Sequence, residues 1–233
     1  MRIVISTCNK YDHLIPGCLL LLNRYWPGQT VDIVASRALV DLPTNATVTI
    51  PGPDDEPWTT RIRTYLAGIS DKYFVFIFDD YWLTTPVDSA RVAVIEKLVA
   101  TYKAAKGDLS GNTAYFEHET YQPNPELVTA AQGAQYRTST QPAIWAHEYL
   151  FNLLQPGKDP WQFELTAPAT YDSRIIIGPR TPIFNYANVY YKGTPDPYML
   201  TRLSDTDLGD MVTAGMLKGM PTPTEIQRLR TNK

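Results

Sequence analysis

Two adjacent carboxylates, Asp79 and Asp80, directly follow six apolar or aromatic residues, Tyr73 to Phe78 (YFVFIF). A run of that length and type is short for a helix and rich in β-favouring residues, which predicts a central strand buried on both faces. In an open α/β sheet, ligands are held at the carboxyl ends of strands. Tyr81, Trp82 and Leu83 resume the apolar character past the pair, so the carboxylates lie between hydrophobic walls. Neighbouring negative charges in such a place need a cation or hydrogen-bond donors. A divalent cation bridging to a diphosphate would supply that compensation. The plainer alternative is that the two acids cap the next helix or form a turn.

Two other stretches carry chemistry. The strand expected at Arg2–Ser6 (RIVIS) ends in the polar loop of residues 7–11 (TCNKY), where Thr7, Asn9 and Tyr11 can meet a ligand. Residues 159–164 (DPWQFE) hold Glu164 beside Trp161 and Phe163. An apolar setting raises the pKa of a carboxylate and suits it to proton transfer. The alternative for Glu164 is an ordinary acid near a helix N-terminus.

The positioning elements read as one α/β domain spanning residues 1–233, with 44% hydrophobic residues for its core. An apolar stripe at Leu14, Cys18, Leu21, Leu22 and Tyr25 predicts a helix after Asp12, closed by Pro27 and Gly28. Strands are expected at 31–35 and 46–50, and the acidic turn at 54–56 reads as a solvated loop. A helix over 58–70 carries Arg61 and Arg63 off its buried face and feeds the central strand. A long helix over 89–106, with Val92, Ile95, Leu98, Val99 and Tyr102 inward, is ended by Gly107. Residues 113–117 are expected as a strand, and 139–145 lead into a helix bearing Tyr149, Leu150, Leu153 and Leu154. Late strands are expected at 174–177 and 189–191, then a surface helix or tail over 220–233, basic at Arg228, Arg230 and Lys233.

Composition narrows the function classes. A net charge of −3 disfavours nucleic acid as an obligatory partner. Cys8 and Cys18 lack metal-ligand spacing and read as reduced thiols. No run reaches the length of a transmembrane span or of a signal peptide's apolar core, so a cytoplasmic protein is expected. His118 and His147 have no partner pattern and read as ordinary residues of the surface or of the layer supporting a site.

Taken in order, VISTCNKYDHLIPGCLLLLNRYWP, WTTRIRTYLAGI, YFVFIFDDYWLTTPVD, STQPAIW and DPWQFE resemble the small, family 2-like, GT-A-type glycosyltransferases of bacterial polysaccharide clusters and phage genomes. The likeness spans about residues 1–193, and its most specific parts are FDDYWLT and the STQPAIW and PWQFE pair. It implies a Rossmann-like, mostly parallel central sheet flanked by helices and a nucleotide-activated sugar as donor, UDP-linked for instance. Thr7, Asn9 and Tyr11 would then meet the base and ribose, and Arg61 would face the donor nucleotide. Asp79 would contact ribose or metal, Asp80 would be the main ligand of a manganese or magnesium ion, and Glu164 would be the general base of an inverting transfer. Tyr81, Gln141, Trp145 and Trp161 would contact the sugar or acceptor. Two departures stand out: the acids are DD followed by tyrosine rather than a spaced DXD, and the late segment YKGTPDPY has no histidine.

The acceptor implied is a glycan hydroxyl, or a modified nucleobase in DNA if the chain is a phage DNA-base glycosyltransferase. A third alternative is a non-catalytic module that binds nucleotide sugars or carbohydrate. Both an acidic pair and a separate Glu164 favour the enzyme.

Overall fold

The computed structural model describes residues 1–115, 117–167 and 173–231. Strand β1 (Arg2–Ser6) leads through a 3-10 turn (Asp12–Leu14) into α1 (Ile15–Tyr25), then β2 (Thr30–Val34) and β3 (Ala46–Thr49). Helix α2 (Trp58–Ala67) feeds β4 (Tyr73–Phe78), which is followed by β5 (Tyr81–Leu83) and α3 (Ser89–Thr101). Strands β6 (Lys106–Asp108), β7 (His118–Thr120), β8 (Leu127–Ala130) and β9 (Ala143–Ala146) precede α4 (His147–Leu153) and α5 (Pro160–Thr166). After β10 (Ile176–Pro179) and β11 (Tyr186–Asn188), a hairpin of β12 (Tyr190–Tyr191) and β13 (Thr194–Pro195) leads to α6 (Pro197–Leu200), α7 (Asp205–Thr213) and α8 (Pro223–Thr231).

Nine strands form one sheet in the order β3-β2-β1-β4-β9-β6-β10-β8-β7, and all but β8 and β9 share a direction. Both faces are covered, which is why β1 and β4 are apolar throughout rather than alternating. Ile3, Ile5, Val75 and Ile77 point into the core under α1 and α3, whereas Val4, Phe74 and Phe76 pack with Trp58, Leu150 and Phe163 on the other side. The chain winds outward from β1 to β2 and β3, then returns to place β4 on β1's other edge. That reversal opens a crevice at the carboxyl ends of β1 and β4.

Strand β5 leaves the main sheet and pairs with β11, with Trp82 opposite Ala187. Trp82 is fully buried, and its indole N–H donates to the Asp79 carbonyl at 3.1 Å. It reaches this place because α1 carries Gly17 where the indole lies, and a Cβ there would stand 2.7 Å from Trp82 Cη2. A glycine inside a helix normally costs about 1 kcal/mol against alanine, and here its bare Cα leaves room for the ring that braces the acidic turn.

Several boundaries differ from expectation. The helix predicted over 89–106 stops at Thr101, because Lys103 takes a left-handed φ of 49° and Lys106 starts a strand. Tyr102 is accordingly exposed rather than part of the buried stripe. Gly107 ends no helix: it sits in β6 under α3, where a Cβ would lie 2.7 Å from Val99. Residues 112–115 form a 3-10 turn rather than a strand, and Phe116 lies outside the described residues. The end of STQPAIW is the strand β9, inserted antiparallel between β4 and β6. The late strands fall at 176–179, 186–188 and 190–191. The C-terminal segment is the helix α8, docked by fully buried Ile226 and by Arg230, which pairs with Asp205 and donates to Thr201 O at 3.1 Å; Lys233 lies outside the described residues. No helix among the described residues is long and apolar enough to cross a membrane.

Filling the space at Gly17 should dislodge Trp82. Gly17→Val is expected to destabilise the protein by about 1–3 kcal/mol through overpacking, read as a lower urea midpoint, whereas the same change at solvent-facing Gly209 should do markedly less.

Candidate active site

The parallel register of β1 and β4 sets Ser6 beside Phe78, so the next residues, Thr7 and Asp79, emerge side by side. Thr7 Oγ1 donates to Asp79 Oδ2, and the Asp79 N–H donates to Ser6 O at 3.3 Å. Strand β11 runs along β5 and brings Asn188 opposite Tyr81, while the Val189 N–H donates to Asp80 O at 2.9 Å. With its amide oriented to satisfy both partners, Asn188 Nδ2 donates to Asp80 Oδ2 at 2.7 Å and to Tyr190 O at 2.9 Å. Chain entering β9 passes through Thr140 and Gln141, at the same end of the sheet as Asp79.

Around these strand ends lies a cleft of about 790 Å³. It gathers Thr7, Tyr11, Arg61, Asp79, Asp80, Tyr81, Gln141, Trp161 and Glu164, nine of the sequence-derived candidates. Two candidates stand apart. Asn9 is exposed and does not line the cleft; its backbone N–H donates to Asp54 at 3.0 Å. Trp145 is fully buried in β9, stacked on Tyr149, and cannot reach a sugar. Its apolar context already suited a core residue, and the antiparallel insertion of β9 puts it there.

The electrostatics centre on the acidic pair. Burial, with the neighbouring Asp80 charge adding to it, raises the Asp79 carboxyl well above the usual carboxylate range despite the Thr7 hydrogen bond. Burial pushes Asp80 up to about 7. Among the described residues no group of three or more His, Cys, Asp or Glu side chains could enclose a metal ion. One or two carboxylates completed by phosphate oxygens is nonetheless the donor set that magnesium-type ions accept, and the unrelieved charge of Asp79 and Asp80 fits a cation brought with a diphosphate.

Arg61 supplies a positive wall. It is 6% exposed, its Nη1 donates to Ser36 Oγ at 2.5 Å, and its buried Nε has no protein partner. Asp54, expected as part of a solvated loop, holds this wall together by accepting from Ser36 Oγ at 2.6 Å and from Asn9 N. The Ser36 hydrogen bond, then that from Asn9, holds its carboxyl below the ordinary range.

Glu164 lies in the second turn of α5, beyond the Asp159 capping box, so it is not an N-terminal acid. Its Oε1 accepts from both the N–H and the hydroxyl of Thr140, each at 2.5 Å. The expected aromatic setting is divided: Trp161 is 61% exposed on the cleft rim, whereas Phe163 is turned into the core. Residues the sequence did not flag also line the cleft, notably Thr140, Asn188 and the hairpin of Tyr190, Tyr191, Lys192 and Gly193. Gly193, with a φ of +86°, turns back so closely that a Cβ would meet Lys10 Nζ at 2.8 Å. The glycine-bearing turn YKGTP was the one signal in the sequence that the hairpin existed.

No family model matches the sequence, and no curated protein matches it. Solved structures do match the fold. S. aureus TarS 1-349 aligns at a TM-score of 0.50 and 10% identity over 98% of this chain and 68% of that one. The bifunctional IspDF from Campylobacter jejuni aligns at 0.50 and 13% identity over 88% of this chain and 54% of that one. The galactosyltransferase LgtC, in complex with donor and acceptor sugar analogs, aligns at 0.41 and 10% identity over 72% and 70%. At these identities the likeness is one of fold: the chain has a GT-A-like α/β architecture, a mostly parallel central sheet flanked by helices.

The buried charge of Asp80 has a signature in stability. Its carboxyl binds a proton more readily folded than unfolded, so the ligand-free protein loses stability as pH rises from about 4 toward 7. Asp80→Asn should therefore stabilise the ligand-free protein at pH 8, on the order of 2 kcal/mol, with the gain shrinking toward pH 5. Melting curves of both proteins across that range test it; a variant less stable at pH 8 contradicts the burial argument.

Proposed function

We propose that this protein is a glycosyltransferase that moves a sugar from a nucleoside diphosphate sugar to an acceptor hydroxyl with inversion at the anomeric carbon. The observation that carries the reading is the meeting, in one cleft at the switch point of a GT-A-like sheet, of a buried acidic pair with no cationic side chain paired to it among the described residues and a separate carboxylate, Glu164. The pair favours a cation-bound diphosphate, and the unpartnered Nε of buried Arg61 favours an anion beside it. Tyr11, packed at 5.8 Å against Tyr190, offers an aromatic edge to the nucleoside. Exposed Trp161 and Tyr191 on the rim offer faces on which an acceptor sugar can stack.

In the transfer, the acceptor oxygen forms a bond to the anomeric carbon as the bond from that carbon to the diphosphate oxygen breaks. The electron pair leaves with the diphosphate, whose growing charge Arg61 offsets. Glu164 takes the acceptor's proton, and Thr140 holds the carboxylate oriented from Oε1, leaving the other oxygen free of protein partners among the described residues. A manganese or magnesium ion at Asp79 and Asp80 would act as Lewis acid on the departing phosphate. Thr7 and Asn188 keep those carboxylates aimed into the cleft.

A thermal-shift panel of UDP, GDP and dTDP sugars should raise the melting temperature with at least one donor, because a ligand that binds only the folded state stabilises it. No response to any donor, or release of pyrophosphate from a nucleoside triphosphate, overturns the reading. Arg61→Ala should weaken binding of that donor by about 1–3 kcal/mol in calorimetry.

Glu164→Gln keeps the shape and removes the base. It should retain donor affinity and lose transfer about a hundredfold or more, a barrier increase near 3 kcal/mol. Turnover within a few-fold of wild type, or a product that retains the donor's anomeric configuration, removes Glu164 from the role.

A further inference from the structure

One buried cation lies behind the cleft without lining it. Lys106, the first residue of β6, is 1% exposed. Its ammonium donates to Ser139 O at 2.6 Å and to Ser139 Oγ at 3.3 Å, and it forms an ion pair with the Asp108 carboxylate at 3.7 Å. The face of Trp145 lies 5.1 Å from Nζ. Asp108 also accepts from the Ser110 hydroxyl at 3.0 Å.

The peptide group that receives Lys106 through its oxygen is the one whose N–H, at Thr140, donates to Glu164. An unbroken path therefore runs from the ammonium to the carbonyl oxygen of Ser139, across one amide, and from the Thr140 N–H to Glu164 Oε1. We propose that Lys106 is a positioning residue for the transfer step, acting on the Glu164 carboxylate through the Ser139–Thr140 peptide.

The physics is polarisation. A cation on an amide oxygen draws electron density from the N–H and makes it a stronger donor, and in a dry interior such chains reinforce one another. The stronger donor fixes the carboxylate's direction. Tyr81 and Tyr186 also face Glu164, but neither brings a positive charge to it. A purely structural explanation is weak, because an apolar residue of similar volume commonly serves a core as well as a buried ion pair does. Burial lowers the lysine's pKa, while Asp108 and then Glu164 oppose the loss of its charge.

The proposal rests on Glu164 as base, and the test separates the two. K106M/D108N removes both buried charges together; K106Q/D108N, which keeps a neutral donor for Ser139, stands in if the first does not fold. In either, the Thr140 amide proton should move upfield of wild type, and UDP release from UDP-glucose, or from whichever donor gives the largest thermal shift, should fall about tenfold in kcat with KM for the donor unchanged. Added to E164Q, the same pair of changes should cost less than twofold more. An unmoved Thr140 resonance, or an equal loss in the wild-type and E164Q backgrounds, overturns the relay and leaves the base reading intact. An E164Q protein that turns over like wild type overturns the base reading itself, and with it the role of Lys106.

Discussion

Two carboxylates adjacent in sequence are held in a wall of apolar side chains at the end of a buried strand, and much of the molecule is arranged to keep them there. The sheet gives them no escape, because β4 is enclosed by β1 and β9 and Trp82 pins the Asp79 carbonyl from behind. The protein answers the charge only in part, with a hydroxyl from Thr7, an amide from Asn188 and nearby backbone N–H groups. Burial of an anion costs several kcal/mol when it is not fully paired. A fold that carries such a cost has a use for the charge, and a cation-bound diphosphate is the ligand that would complete it.

Much of the cleft is set by backbone register. Pairing of β1 with β4 puts Thr7 next to Asp79; pairing of β5 with β11 puts Asn188 next to Asp80; the antiparallel β9 brings Thr140 to Glu164. The first two contacts are made by short side chains, and the third by the Glu164 side chain reaching Thr140 from α5. The wall built on Arg61, Ser36 and Asp54 and the wall built on α5 and the late hairpin come from elements separate from those that hold the acidic pair. The GT-A-like architecture suits this division, since its loops at the strand ends carry specificity while the sheet stays fixed.

The parts of this arrangement legible in the sequence were those with strong local signals. Strands β1 and β4 fall on the expected residues, because continuous β-branched and aromatic runs bounded by polar residues leave little choice. The acidic pair and PWQFE were visible through contrast with their apolar neighbours. What was hidden came from tertiary placement. Lys106, Gly107 and Asp108 have poor strand propensity and form β6 only because β9 and β10 flank them. Asn9 and Trp145 sit in motifs that reach the cleft, but the backbone turns their side chains elsewhere, a fact no spacing rule contains. Asn188 acquires its place from a partner strand about a hundred residues away in sequence.

Calorimetric titration of the nucleoside diphosphate of the donor that gives the largest thermal shift, into the wild-type and Asp80→Asn proteins, each with manganese and with excess chelator, tests the central claim most directly. The account predicts that wild-type affinity rises steeply with manganese and that the variant gains nothing from it. Equal affinity of the wild-type protein for that nucleotide in manganese and in chelator would contradict it.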